Sequence, residues 1–260
     1  MFGATIGDII GSRFEFNNYK GTDFELFTSK CCFTDDTVCS VAIAEWALSG
    51  FQIDLPDTLR KWGNRYRNAG YGGMFARWLN PRWEPQPYNS WGNGSAMRVS
   101  AVGWLCDDME TVLEYAKRSA DITHNHPEGI KGAQTTAAAI FLARKGESKE
   151  TIKQFIEQKF GYNLNRTCDQ IRPNYSFDES CQGTVPQAIV AFLESKDFED
   201  SIRLAVSLGG DSDTLAAITG SIAEAFYKQI PEQIKAQAVQ CLPAEFVEIF
   251  EQVSSRTKQR

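Results

Sequence analysis

Hydrophobic residues recur along this chain at the spacing of an α-helix, and no comparable alternation with a period of two occurs. Stripes of this kind lie within residues 152–160 and 215–226 and, after Pro243, within 246–253. Proline at that position is tolerated in the first turn of a helix. The pattern predicts an all-α fold. One stripe with apolar side chains at i, i+3, i+4, i+7 and i+8 comprises Val185, Ala188, Ile189, Phe192 and Leu193.

Two predicted helices, residues 132–144 and 214–226, are rich in alanine, glycine and threonine. Small side chains allow helix backbones to approach closely, so we expect both helices to be central and buried on several sides. Long connections at residues 63–96 and 161–184 are rich in glycine and asparagine, and loops of that length are usually functional. No linker divides the chain, which predicts one compact helical domain over residues 1–260.

Charge and composition exclude several classes of protein. The chain has 260 residues and a net charge of −6, with 27 lysine and arginine residues against 33 aspartate and glutamate residues. No basic block of the kind that tracks phosphates occurs, so we expect no nucleic-acid partner. No apolar run reaches the length of a membrane span, and the first residues lack the basic start of a signal peptide. Seven cysteines without a C-x-x-C pair predict reduced thiols and a cytoplasmic protein.

The segment FTDDT, residues 33–37, places two adjacent acids directly before the apolar run VCSVAIAEWAL. Thr34 or Asp35 can accept backbone N–H bonds at the start of a helix, where the helix dipole also favours acids. One acid is enough for capping, however. The alternative is a cation site to which Thr34, Asp35 and Asp36 contribute oxygen atoms.

A second acidic segment, SLGGDSDTLAAITG, opens the small-residue helix near the other end of the chain. Asp211, Asp213 and Thr214 repeat the chemistry of the first segment after two glycines. If the two helices are neighbours, four aspartates and two threonines converge, which is costly unless cations neutralise them. Oxygen ligands without thiolates favour Mg²⁺ or Mn²⁺ over zinc, and the number of carboxylates suits two ions. Two independent helix caps are the alternative.

The segment NSWGNGSAMRVSAVGWL, residues 89–105, combines small residues with an apolar continuation. Exposed backbone N–H groups at a helix N-terminus can cradle phosphate. Trp91 beside such a phosphate site can stack on a nucleobase. The alternatives are a simple glycine-rich turn and a tryptophan packed in the core.

Both histidines, His124 and His126, lie in THNHPEGIKGA. Pro127 predicts that a helix begins just after them, which places both on the loop leading into that helix. Two histidines without a nearby cysteine ligand do not indicate zinc. A pocket-lining role and a structural hydrogen-bonding role both stay open for them.

Five blocks in order resemble the ADP-ribosylglycohydrolases, the family of dinitrogenase-reductase-activating glycohydrolase and the eukaryotic ADP-ribosyl-acceptor hydrolases. Each motif alone is modest, but the ordered set is specific and extends from residue 3 to about residue 230. The blocks are GDIIGSRFE (7–15), FTDDT (33–37), SWGNGSAMRV (90–99), THNHPEGIKGA (123–133) and LGGDSDT (208–214).

The resemblance implies an orthogonal all-α bundle with a two-metal cleft that holds two Mg²⁺ or Mn²⁺ ions, with Asp213 bridging them. It also implies catalytic roles for Glu15, Asp35 and Asp36. The implied metal ligands are Thr34, Asp35, Asp36, Asp211, Asp213 and Thr214. The implied substrate-binding residues are Gly70, Tyr71, Gly72 and Gly73 at the distal ribose, Ser90, Gly92, Asn93, Gly94 and Ser95 at the diphosphate, Trp91 at the adenine, and His124 in the same cleft.

The activity implied by the resemblance is hydrolysis of the C1″ glycosidic bond of an ADP-ribosylated protein or small molecule, with release of ADP-ribose. The acceptor is open among arginine, serine, an acetyl ester and a nucleobase, because variable loops build that side of such a site. A two-metal nucleotide phosphodiesterase or phosphatase and a non-catalytic ADP-ribose sensor are the rival functions. We expect a monomer.

Overall fold

A computed structural model of the protein, which describes residues 1–258, consists of α-helices and connecting loops, with no β-sheet in that range. The all-α prediction is therefore confirmed. A 3₁₀ turn, Ser12–Phe14, follows the first helix. The α-helices are α1 (Gly3–Gly11), α2 (Asp35–Leu48), α3 (Leu55–Arg65), α4 (Gly73–Trp78), α5 (Gly94–Met97), α6 (Ser100–Leu105), α7 (Met109–Asp121), α8 (Pro127–Lys145), α9 (Lys149–Phe160), α10 (Cys168–Ile171), α11 (Cys181–Glu194), α12 (Phe198–Ser207), α13 (Ser212–Tyr227), α14 (Glu232–Gln240) and α15 (Ala244–Lys258).

The two helices rich in small residues, α8 and α13, lie at the centre of the molecule, as predicted. Every residue from 212 to 223 in α13 is buried, as is every residue from 135 to 141 in α8. Helix α13 packs against α1, α8, α11 and α12. Burial on several sides is possible because alanine and glycine leave little side chain between the backbones.

A glycine face on α1 fixes how closely that helix approaches α13. Gly3, Gly7 and Gly11 recur at four-residue intervals and so lie on one side of the helix. A Cβ atom at Gly7 would overlap the backbone of Ala216, and one at Gly11 would overlap the backbone of Asp213. The end of α1 therefore lies directly against the acidic start of α13.

The two long connections contain short helices that the sequence pattern does not reveal. Helix α4 and all but the last residue of α5 lie within the predicted connection 63–96, and α10 and the start of α11 lie within 161–184. The helices α4, α5 and α10 span four to six residues. A hydrophobic stripe needs about two or more turns to be recognisable, so helices of this length leave no periodic signal.

Buried apolar side chains from Met1 to Val253 form a connected cluster that supplies the core. The single domain over residues 1–260 stays a prediction, and its residues 259 and 260 lie outside the described residues. Within residues 1–258, no helix combines the length and the apolar character needed to cross a bilayer.

Candidate active site

A cleft of about 440 Å³ lies where the N-termini of α2 and α13 meet the loop after α1. Residues of both acidic segments line this cleft. The two segments therefore meet in one place, as expected if their helices are neighbours. Of the predicted site residues, those that line the cleft are Glu15, Asp35, Asp36, Gly70, Gly72, Ser90, Trp91, Gly92, Asn93, Gly94, His124, Asp211, Asp213 and Thr214.

At the start of α2, the capping role and the acidic cluster coexist because different residues provide them. Thr34 is the N-cap, and its hydroxyl oxygen accepts a hydrogen bond from the Asp36 backbone N–H at 3.3 Å. Helix capping therefore does not use the carboxylates of Asp35 and Asp36, and both line the cleft. The side chain of Asp36 is 3% exposed.

Asp8 in α1 anchors the start of α2 through hydrogen bonds, a role that the sequence analysis missed. Its Oδ2 accepts hydrogen bonds from the backbone N–H groups of Thr34 at 2.9 Å and Thr37 at 3.1 Å. The hydroxyl of Thr34 donates to Oδ1 at 2.8 Å, and the hydroxyl of Thr37 donates to Oδ2. Asp8 is fully buried and is the only charged residue of α1. A lone acid in such a helix was the available signal.

The start of α13 is shaped by its backbone instead. Gly209 and Gly210 have φ values of 72° and 71°, in the left-handed region that favours glycine. Asn18 clasps Gly210, since its amide oxygen accepts from the Gly210 N–H at 2.8 Å and its Nδ2 donates to the Gly210 oxygen at 3.0 Å. The Asn93 Nδ2 donates to Asp211 Oδ2 at 2.7 Å. The carboxylate of Asp211 is therefore oriented from the opposite wall of the cleft.

The two helix starts are joined directly by side chains. The Thr214 hydroxyl donates to Asp36 Oδ2 at 3.2 Å, whereas Asp36 Oδ1 is buried without a hydrogen-bond partner. Carboxylate oxygens of Glu15, Asp211 and Asp213 all lie within 4.8 Å of one another. In the described part of the chain, none of these acids forms an ion pair with lysine or arginine.

Burial, and then the crowding of the acids, raises the pKa values of these carboxyls. Burial raises the pKa of Glu15 to about 7, and the negative charge of Asp211 adds to the effect. Burial raises the pKa of Asp35 to about 8 and that of Asp213 to about 7. The pKa values of Asp36 and Asp211 lie well above the usual range, first because of burial and then because of the charge on Asp213. These carboxyls need either protons or cations.

The donor set fits hard divalent cations. Asp36 Oδ1 is an unpartnered buried acceptor, and the surrounding ligands are carboxylate and hydroxyl oxygens, which Mg²⁺ and Mn²⁺ prefer. Cys39 also lines the cleft, but burial raises the pKa of its thiol well above its ordinary value. A protonated thiol is a poor ligand, so Cys39 does not turn the site into a zinc site.

The glycine-rich segment 90–94 forms the opposite wall of the cleft. It is held by the loop before α11 through an antiparallel bridge between Gly92 and Ser180. The Asn93 N–H donates to the Glu179 oxygen at 2.7 Å, and the Cys181 N–H donates to the Trp91 oxygen at 2.9 Å. The Trp91 side chain stays 53% exposed, so its indole is available to a ligand.

His124 supports this wall as a neutral imidazole. Burial, followed by the charge of the fully buried Arg98, lowers the pKa of His124 well below its ordinary value. Arg98 donates to Thr123 Oγ1 at 2.9 Å, and that hydroxyl lies 2.7 Å from His124 Nδ1. A hydroxyl that accepts from Arg98 can still donate its own proton to Nδ1, and in that tautomer Nε2 carries the ring proton. Nε2 faces segment 90–94, where a Cβ atom at Gly94 would lie 3.0 Å from it.

The sequence profile of the family described as ADP-ribosylglycohydrolase matches residues 1–259. The chain belongs to the ADP-ribosylglycohydrolase family. The resemblance found in the sequence is thereby confirmed, and the protein is a hydrolase of glycosyl bonds. The family is metal-dependent, in agreement with the acidic cluster.

Individual relatives support the same assignment over most of this ADP-ribosylglycohydrolase. It is 28% identical to the ADP-ribosylhydrolase ARH3 of Homo sapiens, over 89% of this chain and 86% of the relative. It is 26% identical to the ADP-ribosylarginine hydrolase Tri1 of Pseudomonas putida (strain GB-1), over 87% of this chain and 69% of the relative. A solved structure named "ADP-ribosylglycohydrolase-related protein complex" matches with a TM-score of 0.75 and 26% identity, covering 99% of this chain and 95% of that one.

Four residues that the sequence analysis placed in the site do not line the cleft of this ADP-ribosylglycohydrolase: Thr34, Tyr71, Gly73 and Ser95. Thr34 caps α2, and Gly73 begins α4. The Ser95 hydroxyl donates to the Gly129 oxygen at 2.7 Å. Tyr71 lines a neighbouring cavity.

Aromatic and apolar side chains at the mouth of the cleft were not predicted. Phe177 and Met74 line the cleft and are 46% and 58% exposed. Phe16 follows Glu15 directly, is 85% exposed and stacks on Phe177 with ring centroids 6.1 Å apart. These residues lie in loops or at the start of a short helix, where periodicity carries no information.

Proposed function

We propose that this ADP-ribosylglycohydrolase cleaves the C1″ glycosidic bond of an ADP-ribosylated protein or small molecule and releases ADP-ribose, with two Mg²⁺ or Mn²⁺ ions bound. The observation that carries the proposal is the meeting of two acidic helix starts in one cleft, with Asp36 Oδ1 buried and unpartnered. The names of two relatives, an ADP-ribosylhydrolase and an ADP-ribosylarginine hydrolase, agree with this chemistry.

The proposed ligand set has acids from both helix starts and a hydroxyl from each. The hydroxyl of Thr34 gives its proton to Asp8 and accepts from the Asp36 N–H, which leaves one lone pair for a cation. When bound, the ions neutralise the acids and supply Lewis acidity toward the ribose oxygens. The residues that would hold them are Thr34, Asp35, Asp36, Asp211, Asp213 and Thr214.

Segment 90–95 would bind the diphosphate through its backbone at the start of α5, where Gly94 carries no side chain and His124 Nε2 stands beside it. The Gly92 N–H already donates to Ser90 Oγ at 3.0 Å. The exposed indole of Trp91 offers a stacking surface for the adenine. Gly70 and Gly72 border the cleft on the side of Asp35, where the distal ribose would lie. These contacts orient the ribosyl carbon toward the acidic cluster.

Glu15 is the residue best placed to move a proton during the reaction. It is partly buried in the cleft, and its carboxylate lies within 4.8 Å of ligand atoms of Asp211 and Asp213. A carboxylate held at the edge of such a cluster can accept a proton from an attacking water while positive charge develops on the ribose. Asp35 and Asp36 would stabilise that charge from the opposite side.

The test is chromatographic analysis of products from arginine-, serine- and acetyl-linked ADP-ribose, with Mg²⁺ and with EDTA. Intact ADP-ribose released from one substrate with Mg²⁺, and lost with EDTA, is the expected result and identifies the acceptor. AMP with ribose phosphate would instead show a phosphodiesterase. Binding of ADP-ribose that survives chelation, without turnover of any substrate, would show a sensor.

We further expect the enzyme to act as a monomer in the cytoplasm. All seven cysteines in the described part of the chain are free thiols, which suits a reducing compartment. Size-exclusion chromatography with light scattering tests the oligomeric state. A mass of twice 29.1 kDa would contradict the expected monomer.

A further inference from the structure

A second cavity, of about 480 Å³, lies beside the candidate active site and shares one loop with it. Gly70 and Gly72 line the active-site cleft, whereas Tyr71 between them lines the second cavity. The remaining walls come from the end of α3, from α4 and from the residues that follow α4. Its volume falls within the range of small-molecule sites.

Side-chain hydrogen bonds from α3 fix the wall of this cavity. The Arg60 guanidinium donates to the Trp78 oxygen through Nε at 3.2 Å and through Nη2 at 3.0 Å. Asn64 Nδ2 donates to the Leu79 oxygen at 2.8 Å. These hydrogen bonds hold the end of α4 and the residue after it against α3, so the wall of the cavity is fixed by the fold.

The second cavity is basic although the protein is acidic. Arg67 and Arg82 line it together with Asn64 and Asn80, and no aspartate or glutamate does so. Within residues 1–258, neither arginine forms an ion pair. Arg67 donates through Nη2 to Asn64 Oδ1 at 3.0 Å and through Nε to the Asn64 oxygen at 3.3 Å. Three of its five N–H donors are therefore unused.

We propose that the second cavity binds a phosphate-bearing small molecule. The two exposed guanidinium groups carry positive charge and unused forked donors, which are the groups that bind phosphate oxygens. The apolar side chains of Ala76, Leu79 and Pro81 line the same space and suit an uncharged part of such a ligand. The acidic cluster cannot provide this chemistry, because without cations it repels anions.

Equilibrium dialysis of radiolabelled pyrophosphate at low ionic strength tests the proposal. EDTA is present throughout, so that the acidic cleft has no cations with which to attract the probe. We expect one equivalent of pyrophosphate per wild-type chain. The double variant Arg67→Gln/Arg82→Gln should bind at least about a hundredfold more weakly, since each charge-assisted contact contributes about tenfold or more.

Arg77→Gln is the control, because Arg77 lies in the last turn of α4 but does not line the cavity. It removes one of the two positive charges that the double variant removes, and it should bind pyrophosphate like the wild type. Absence of binding by the wild type, or equal binding by the double variant, would overturn the proposal. Succinate binding as tightly as pyrophosphate would overturn the assignment to phosphate. Activity is not measured, so the outcome is independent of the proposed hydrolysis.

Discussion

Each of the two acidic helix starts supplies two aspartates and a threonine to the candidate site, but the two starts are held in different ways. At α2, the buried carboxylate of Asp8 accepts hydrogen bonds from both the backbone and the side chains of Thr34 and Thr37. At α13, two glycines with positive φ set the path of the chain, and Asp211 has no capping hydrogen bond. One start is therefore held by a buried side chain and the other by backbone conformation.

Separate anchors allow this protein to place six carboxyl groups in one region: Asp8, Glu15, Asp35, Asp36, Asp211 and Asp213. Each anchor fixes its own helix start independently, and the shared cleft arises only because α1 packs closely on α13. Burial first, and then repulsion between the acids, raises the pKa values of Asp35, Asp36 and Asp213. Bound cations offset the electrostatic cost of the buried carboxylates only if both helix starts supply ligands. The starts of α2 and α13 should therefore be equally necessary for activity.

The largest expected effect is the loss of turnover when either start loses an acid. Asp35→Ala and Asp213→Ala should each reduce the rate of ADP-ribose release by about a thousandfold or more, because metal ions contribute several kcal/mol to transition-state stabilisation. Helical content measured by circular dichroism should not change. The exposed Asp23→Ala is the control and should keep full activity. Near-normal rates of both cleft variants with added Mg²⁺ would contradict a two-metal centre.

Removal of the Asp8 anchor should destabilise the α2 start. Asp8→Ala leaves two backbone N–H groups and two hydroxyls without their acceptor, and we expect a loss of about 3 kcal/mol in the free energy of unfolding. Asp8→Asn should cost less, since one oxygen still accepts from the three donors on Oδ2. Urea denaturation measures both variants.

Equal stabilities of the two Asp8 variants would contradict this account. They would show that the shape of the side chain, rather than its acceptor atoms, holds the helix start. The Mg²⁺ requirement for turnover in Asp8→Asn offers a second readout. The Mg²⁺ concentration that gives half-maximal turnover should rise, because the Thr34 hydroxyl loses the carboxylate that orients it.

Much of this arrangement could be predicted from the sequence, but the anchors could not. The helix from Pro127 and the central position of residues 214–226 follow from local patterns that reach over several turns. The meeting of residues 34–36 with 211–214 required the family resemblance, since periodicity does not tell which helices are neighbours. Asp8 appeared as a single acid, and its role depends on a segment about 26 residues later. The Phe16–Phe177 contact joins two loops and left no local signal.

A smaller effect is expected from the backbone anchor of α13. Gly210 has a φ of 71°, and a Cβ atom there would lie 2.6 Å from the Tyr175 ring and 3.0 Å from the Ser176 oxygen. Gly210→Ala should therefore lower the free energy of unfolding by about 2 kcal/mol and weaken Mg²⁺ activation. Gly146→Ala is the matched control, with a φ of 87° and open space around the new Cβ atom.

The control should show the cost of a positive φ alone, about 1 kcal/mol, and unchanged Mg²⁺ activation. Thermal or urea unfolding gives the stabilities, and Mg²⁺ titration of ADP-ribose release gives the activation. If Gly210→Ala matched Gly146→Ala in both measurements, the close contact with Tyr175 and Ser176 would not contribute to the site.

The smallest expected effect is the pH dependence of stability in metal-free protein. Burial raises the folded-state pKa of Asp8 to about 6, of Glu15 and Asp213 to about 7, and of Asp35 to about 8. In the unfolded chain these carboxyls titrate near pH 4, so between about pH 4 and pH 8 the folded state binds more protons. Their contribution to the free energy of unfolding is therefore lost as the pH rises through this window.

Two groups act in the opposite direction, because burial lowers the pKa of His124 and of the Met1 α-amino group, and their contributions are lost as the pH falls. The carboxyls outnumber them, so we expect the melting temperature in EDTA to fall by about 5 °C or more between pH 5 and pH 8. Mg²⁺ should reduce this fall, since it binds the ionised carboxylates of the folded state alone. In EDTA, the melting temperature of Asp36→Asn should fall less over this pH range than that of the wild type. A wild-type melting temperature that rises from pH 5 to pH 8 without metal would mean that the acidic cluster does not govern stability in this pH range.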